Sequence, residues 1–377
     1  MASTWNGLQA ERLVEDGALL RSAAEALADP FEPALCDQYA RLFSEAIGRV
    51  LPELDPGRLL ERYQRIRQPN EFRGEARSVF VLSRVTLGAD VAVTSVLLDA
   101  AKRRFPGAEL VLAGPRKNWE LFAGDGRVGH LPVVFPRAGL REQLALWPQL
   151  CESLSTPDAI VIDPDSRISQ LGLLPLGAEE RYLFFESRAY GGLGAGSLPE
   201  LARRWAAGTL GVPDARPYVA LAGSAPAGRR PLISVSLGVG ENPAKRIPDP
   251  FERELLQALA RRDARIWIDR GPGGEEAARV DRAIEGLNVR AWNGPFAGFA
   301  AVIAASDLYV GYDSAGQHVA AACGTPLVSV FAGFRSPRAF ERWRPSGRGA
   351  AQVVRVEHPD PREVLAQVLE AIDNIRL

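Results

Sequence analysis

The chain has 377 residues, room for two cores, and its 46% hydrophobic and 24% charged residues match a water-soluble globular protein. A formal net charge of −1 leaves no global basic field to hold nucleic acid. Cys36, Cys151 and Cys323 are odd in number and far apart, matching neither a disulfide framework nor a zinc site. No apolar run is long enough to span a bilayer and the N-terminus lacks a signal-peptide core, so a cytoplasmic protein is expected, with room for peripheral contact through a local patch.

Residues 1–76 show apolar residues at helical spacing, as in "LLRSAAEALADP" and "ALCDQYARLFSEAIGRVL". They carry no catalytic motif and are expected to form a helical extension, a cap or an oligomer contact. From Ser78 the rhythm changes. "SVFVLS" reads as a strand, Asp90 to Arg104 as a helix, and "AELVLAG" and "DAIVID" as further strands, a pattern that signals a parallel sheet covered on both faces. Residues 164–228 are rich in Gly and Pro and read as long loops and a linker. The alternation restarts with "LISVSLG", a helix from Asp249, "ARIWID", a helix from Gly274, "SDLYVG" and "PLVSVF", and closes on a helix from Pro361 to Ile375. The expected architecture is α/β, with two facing Rossmann-like domains at 77–225 and 226–377 and ligand in the cleft at the strands' C-terminal ends.

Each strand end in the second half carries chemistry. "VGENPAKRIP" offers Gly238 for close backbone approach and Lys245 and Arg246 to neutralise phosphate. "RGPGGEE" offers Glu275 or Glu276 to ribose hydroxyls. In "VGYDSAGQHVAAACGTPLVSVFAG", Asp313 and Ser314 read as N-caps of an Ala-rich helix whose N-terminus suits an anion. An ordinary βαβ joint with a core histidine at His318 is the competing reading. In the first half, "IVIDPDSRISQLGLLP" places Asp163, Asp165, Arg167 and Gln170 past a buried strand, to bind acceptor hydroxyls or a phosphate; a solvated Asp-Pro turn explains them equally. The paired aspartates have no His or third acid nearby, so no metal and no cofactor are expected. "LFFESRAYGG" adds Glu186 and Arg188 as a mobile acceptor loop.

The second half resembles glycosyltransferase family nine, the heptosyltransferases of lipopolysaccharide core. "DSAGQHVAAACGTP" stands where that family has D-S-G-x-x-H-x-A-A-A-x-G-T-P, "ERWRPSG" where it has R-x-W-x-P, "AKRIP" for its K-R-W-P loop and "GPGGEE" for its G-G-x-x-E turn. "VLSRVTLGAD" resembles its R-x-x-x-L-G-D opening. The resemblance covers about residues 78–357 and excludes the extension. It implies a GT-B fold and inverting, metal-independent transfer from a nucleotide-diphosphate sugar to a glycan, glycolipid or protein hydroxyl. Lys245 would contact the diphosphate, Ser314, Ala315, Gly316 and Gln317 would offer it backbone donors, and Glu275 or Glu276 would hold the ribose. His318 would orient Asp313 or pack behind the turn.

Two departures stand out. Ala315 replaces a family glycine, with Gly316 placed to compensate. Ala89 stands where the family has its catalytic Asp, and Asp90 follows one residue later. Asp90 is therefore expected either as the base or as a plain helix N-cap, with Asp163 a spare candidate. A sugar-nucleotide epimerase or hydrolase, and a binding relative without catalysis, are the alternative functions.

Overall fold

The computed structural model describes residues 10–240 and 242–375; residues 1–9 of the expected extension, with 241 and 376–377, lie outside them. Two compact units form. The first holds the chain up to Trp119, Gly126–Arg216 and Arg335–Arg342; the second holds Glu120–Asp125, Pro217–Phe334 and the chain from Trp343.

In the first unit four helices, Ala10–Glu15, Gly17–Ala28, Pro33–Val50 and Pro56–Ile66, precede a five-stranded parallel sheet. Local chemistry sets their starts. Asp16 accepts from the Ala18 and Leu19 amides at 2.9 and 3.0 Å and Asp55 from the Arg58 amide at 2.8 Å, with Pro33 and Pro56 in first turns. The strands are β1 Ser78–Leu82, β2 Glu109–Gly114, β3 Val128–Pro132, β4 Ala159–Asp163 and β5 Tyr182–Phe184, in the order β3-β2-β1-β4-β5. β1 and β4 are apolar runs because both their faces are covered. Successive side chains point to opposite faces. Phe80 and Leu82 of β1 join Leu13, Leu27, Phe43 and Tyr63 of the extension in one cluster. The extension is thus not a separate cap; its apolar stripes complete the core of the first sheet.

The stretch read as loops and linker holds more structure than expected. β5 lies in it, and so does the helix Leu198–Leu210, started by Ser197, whose amide donates to Glu200 at 2.9 Å, and stopped by Gly211 in the left-handed region. Its Gly and Pro clusters hide a 13-residue helix with Trp205 fully buried.

The second unit is built on β6 Leu232–Ser236, β7 Arg265–Asp269, β8 Arg290–Trp292, β9 Leu308–Tyr312, β10 Leu327–Phe331 and β11 Ala351–Arg355, parallel throughout, in the order β11-β10-β9-β6-β7-β8. Its core runs from Ile233 and Val235 through Leu255, Ile268, Val310 and Val330 to Val368 and Ile372. Each sheet reverses its strand order once, between β1 and β4 and between β6 and β9. Such a switch opens a crevice at the carboxyl ends of the two strands.

Candidate functional site

At the β6–β9 switch Lys245, on the loop after β6, meets the turn after β9. Its Nζ donates to the Asp313 carboxylate at 2.7 Å and to the Asp313 carbonyl at 3.0 Å. The other Asp313 oxygen accepts from Gln317 Nε2 at 2.6 Å, and Gln317 Oε1 accepts from Ser329 Oγ at 2.6 Å. Asp313 is therefore occupied by side chains and does not cap the helix Ala315–Cys323, and Ser314 makes no capping bond either. This corrects the N-cap expectation in a telling way. The first-turn N–H groups are left without a side-chain cap, beside an ammonium and at the positive end of the helix dipole. That combination suits a diphosphate.

The neighbouring strand end adds a carboxylate. Glu276 is half-buried and reaches between the loops after β6 and β7: a Cβ on Gly238 would stand 2.8 Å from Glu276 Oε1, and one on Gly271, at φ +76°, only 2.1 Å away. Burial raises its pKa, as it does for Asp269 at the end of β7. Glu275 is exposed, so Glu276 is the acid that the fold brings to the strand ends.

Several expected donor contacts land elsewhere. Arg246 turns to acids, donating to Glu252 at 3.2 Å and pairing with Asp249. Glu252, buried and also paired with Arg279, accepts from Tyr312 at 3.1 Å, and Tyr312 accepts from the Ile247 amide at 3.1 Å. This hub braces the loop that carries Lys245; acids in a helical first turn gave no sequence signal of it. Gln317 was expected through its backbone, but its fully buried side chain ties Asp313 to β10. His318 is 4% exposed and packs behind the turn, its ring 5.9 Å from that of Trp343 and its Nε2 3.3 Å from Gln317 Nε2. Burial pushes its pKa down to about 4, so the imidazole is neutral at neutral pH. The residue that orients Asp313 is Gln317. Gly316 does not compensate for Ala315 either: a Cβ there would strike the Tyr309 ring, 2.4 Å from its hydroxyl oxygen. It makes room for Tyr309, while Ala315 keeps its methyl partly exposed.

The β1–β4 switch of the first unit is a dense polar network. Asp90 is neither an N-cap nor exposed. It begins a π-helical turn, Asp90–Thr94, and its carboxylate points back to the end of β1. It accepts from Ser83 Oγ at 2.5 Å, the Arg84 amide at 2.7 Å, Thr94 Oγ1 at 2.6 Å and Asn118 Nδ2 at 2.6 Å. Those four donors fill the lone-pair sites of a carboxylate. Burial raises its pKa while each hydrogen bond lowers it. Ala89 is buried in the short turn before it.

Asp163 is likewise no solvated turn. Fully buried, it accepts from the Ser166 amide at 2.7 Å, from Ser169 Oγ at 2.5 Å and from the Tyr182 hydroxyl, and burial pushes its pKa up to about 6. Its bonds shape the loop rather than leave it free for an acceptor. Asp165, 2% exposed, pairs with Arg188 at 2.9 Å and accepts from Ser187 Oγ at 3.0 Å. Gln170 accepts from Tyr39 and donates to Gln143 at 2.9 Å, and Arg167 stays partly exposed beside it. The expected mobile loop around Glu186 and Arg188 is clamped and buried. Glu186 accepts from Tyr63 and from Arg67 at 2.8 and 3.0 Å, all from the extension side, and burial pushes its pKa up to about 7. Arg84, wedged against the Pro164 carbonyl and Ser187, was missed; burial and the charge of Arg188 lower its pKa to about 10.

Among the described residues no three His, Cys, Asp or Glu side chains gather as a metal site, and no helix is long and apolar enough to cross a membrane.

Residues 212–367 match the model of glycosyltransferase family 9 (heptosyltransferase). No curated protein matches the chain by sequence. Among solved structures, the E. coli heptosyltransferase WaaC with ADP is 20% identical and superposes with a TM-score of 0.61 over 79% of this chain and 99% of that one. A family 9 glycosyl transferase from Veillonella parvula is 15% identical, with a TM-score of 0.58 over 80% of this chain and 91% of its own. The E. coli ADP-heptose lps heptosyltransferase II is 18% identical, with a TM-score of 0.54 over 79% and 99%. Likeness at these identities speaks for fold, and the two parallel sheets are those of the GT-B fold. The second half of the chain, over residues 212–367, is thus similar to glycosyltransferase family 9, the heptosyltransferases, and the fold over most of the chain is similar to that of WaaC.

Proposed function

We propose that the protein transfers a sugar, with inversion and without an obligatory metal, from a nucleotide-diphosphate sugar to a hydroxyl of a glycan, glycolipid or protein. The observation that carries this is the Lys245–Asp313 pair at the uncapped N-terminus of the helix Ala315–Cys323, at the β6–β9 switch. An ammonium and convergent backbone N–H groups stabilise the charge that grows on a departing nucleotide diphosphate, which is the work otherwise given to a metal. Glu276 is the acid assigned to the ribose.

Direct displacement needs a base at the acceptor hydroxyl. Asp90 is assigned that role by its place beside the family position. Its four donors favour a second reading, in which Asp90 organises the loop and the protein binds nucleotide sugars without turnover. Incubation with radiolabelled nucleotide sugars, ADP-heptose first, with and without lipopolysaccharide-core or peptide acceptors, separates the two. Transfer to an acceptor supports the enzyme; tight binding with no transfer across donors and acceptors supports the second reading.

A further inference from the structure

Glu252 sits in the first turn of the helix Phe251–Ala260 and is 2% exposed. Its Oε1 accepts from Arg246 Nε at 3.2 Å, from the Tyr312 hydroxyl at 3.1 Å and from Arg279. Each donor belongs to a different strand end. Arg246 follows Lys245 on the loop after β6. Tyr312 ends β9, directly before Asp313, and its hydroxyl in turn accepts from the Ile247 amide at 3.1 Å. Arg279 lies on the helix Gly274–Ile284 after β7, one turn beyond Glu276, and its Nη2 donates to the Leu237 carbonyl at 2.9 Å. Burial raises the pKa of Glu276, and the charge of Arg279 opposes that rise. A single carboxylate therefore fastens the neighbours of Lys245, Asp313 and Glu276 to one point. Burial and the Glu252 charge also raise the Tyr312 pKa, so its hydroxyl keeps the proton that it donates. A buried carboxylate with three donors is a strict anchor, because removing its charge leaves two guanidiniums short of a partner.

We propose that Glu252 is the positioning residue of the donor site, holding the Lys245 ammonium and the Glu276 carboxylate in the register that a nucleoside diphosphate needs between its diphosphate and its ribose. The proposal rests on the donor-binding part of the reading above. Glu252 itself touches no ligand. Its effect passes along the backbone from Arg246 and Ile247 to Lys245, and along one helical turn from Arg279 to Glu276. Loops ordered before the ligand arrives need not be ordered by it, so the preset register is read as affinity.

The test uses the full chain and reads binding, so it requires no turnover. Calorimetric titration is made with ADP, UDP and GDP, and the tightest of them is carried through the variants, with Tm measured on each. Glu252→Gln keeps the size and an acceptor but loses the charge; Tyr312→Phe removes one hydroxyl. Glu252→Gln is expected to weaken the nucleotide about tenfold or more, and Tyr312→Phe about threefold or more. In a Lys245→Ala background the first loss is expected to shrink to about threefold or less and the second to vanish, because the ammonium they position is gone. A residue that only holds the fold together lowers Tm and costs the same affinity in both backgrounds. Unchanged affinity in folded Glu252→Gln, or a loss of the same size with and without Lys245, overturns the proposal. Tyr312→Phe, read the same way, decides it if Glu252→Gln does not fold. No binding of any of the three nucleotides by the wild type overturns the donor-binding reading and the proposal with it. Coupled losses in a protein that transfers no sugar overturn the transferase reading alone.

Discussion

Lys245 Nζ lies 2.7 Å from the Asp313 carboxylate, and this single pair fastens the loop after β6 to the turn after β9. The ammonium rests on Asp313 while the Lys245 side chain stays a quarter exposed, so a bound diphosphate would meet a cation already held in place. Lys245→Ala is expected to weaken ADP or UDP binding by about 1.5–3 kcal/mol, the range of a charge-assisted hydrogen bond. Calorimetry measures it, and unchanged affinity removes Lys245 from the site.

Asp90→Asn is no longer a mild substitution. An amide placed among four donors turns one N–H against the Arg84 amide or Asn118 Nδ2. We expect a stability loss of about 1–3 kcal/mol, seen as a lower Tm. If Asp90 also acts as the base, turnover per folded molecule falls by about 10²–10⁴; a change confined to Tm leaves Asp90 as a loop organiser.

Ala315 and Gly316 respond oppositely. Gly316→Ala drives a methyl into the Tyr309 ring and is expected to cost about 1–3 kcal/mol. Ala315→Gly, at a partly exposed first-turn position, costs about 1 kcal/mol or less and is expected to tighten nucleotide-diphosphate binding by clearing the helix N-terminus. Thermal melts and titration of both variants check this, and weaker nucleotide binding by Ala315→Gly would refute it.

The pH dependence has two opposed parts. Burial lowers the folded pKa of His318 from 6.5 to about 4, so its contribution is complete above 6.5 and is lost as pH falls toward 4. Glu186 moves the other way, from 4.5 to about 7; the folded state binds the extra proton, so stability declines as pH rises from 4.5 through 7. Among only three histidines, the His318 ring signal is expected to stay fixed from pH 8 to about 5. Glu186→Gln is expected to flatten the stability profile between 4.5 and 7 in chemical denaturation.

Transfer by an active preparation is expected to survive EDTA. Full loss restored by magnesium or manganese would count against a site built on Lys245 and a helix N-terminus.

Strands β1, β2, β4, β6, β7, β9 and β10 were legible as apolar runs, and the helix Ala315–Cys323 because Gly324 and Pro326 stop it; β3, β8 and β11, at sheet edges and largely exposed or partly buried, and the three-residue β5 were not. Lys245 and Asp313 were legible as chemistry at strand ends, yet their pairing was not. Residue type says that Asp313 can cap a helix; only the fold shows that an ammonium and Gln317 claim it first. Asp90, Asp163 and Glu186 misled for the same reason. A carboxylate in a stretch punctuated by Gly or Pro suggests solvent, but donors to these three include Asn118, Tyr182 and Tyr63, up to 123 residues away. The helix Leu198–Leu210 was obscured by the glycines around it.

The Tyr63–Glu186 contact, with Arg65–Glu179 at a separation of 114 residues, also constrains how the chain is made. The extension precedes in the chain the strands and loops that cover its apolar stripes, and Glu186 follows Tyr63 by 123 residues. Until β4 and β5 emerge, the helices from Ala10 to Ile66 wait with Leu13, Leu27, Phe43 and Ile47 in water. Such non-local closure slows folding and leaves nascent apolar surface open to aggregation. The extension is therefore made before the partners that complete its core, and yield in the cell should depend on chaperone supply more than its helical content suggests.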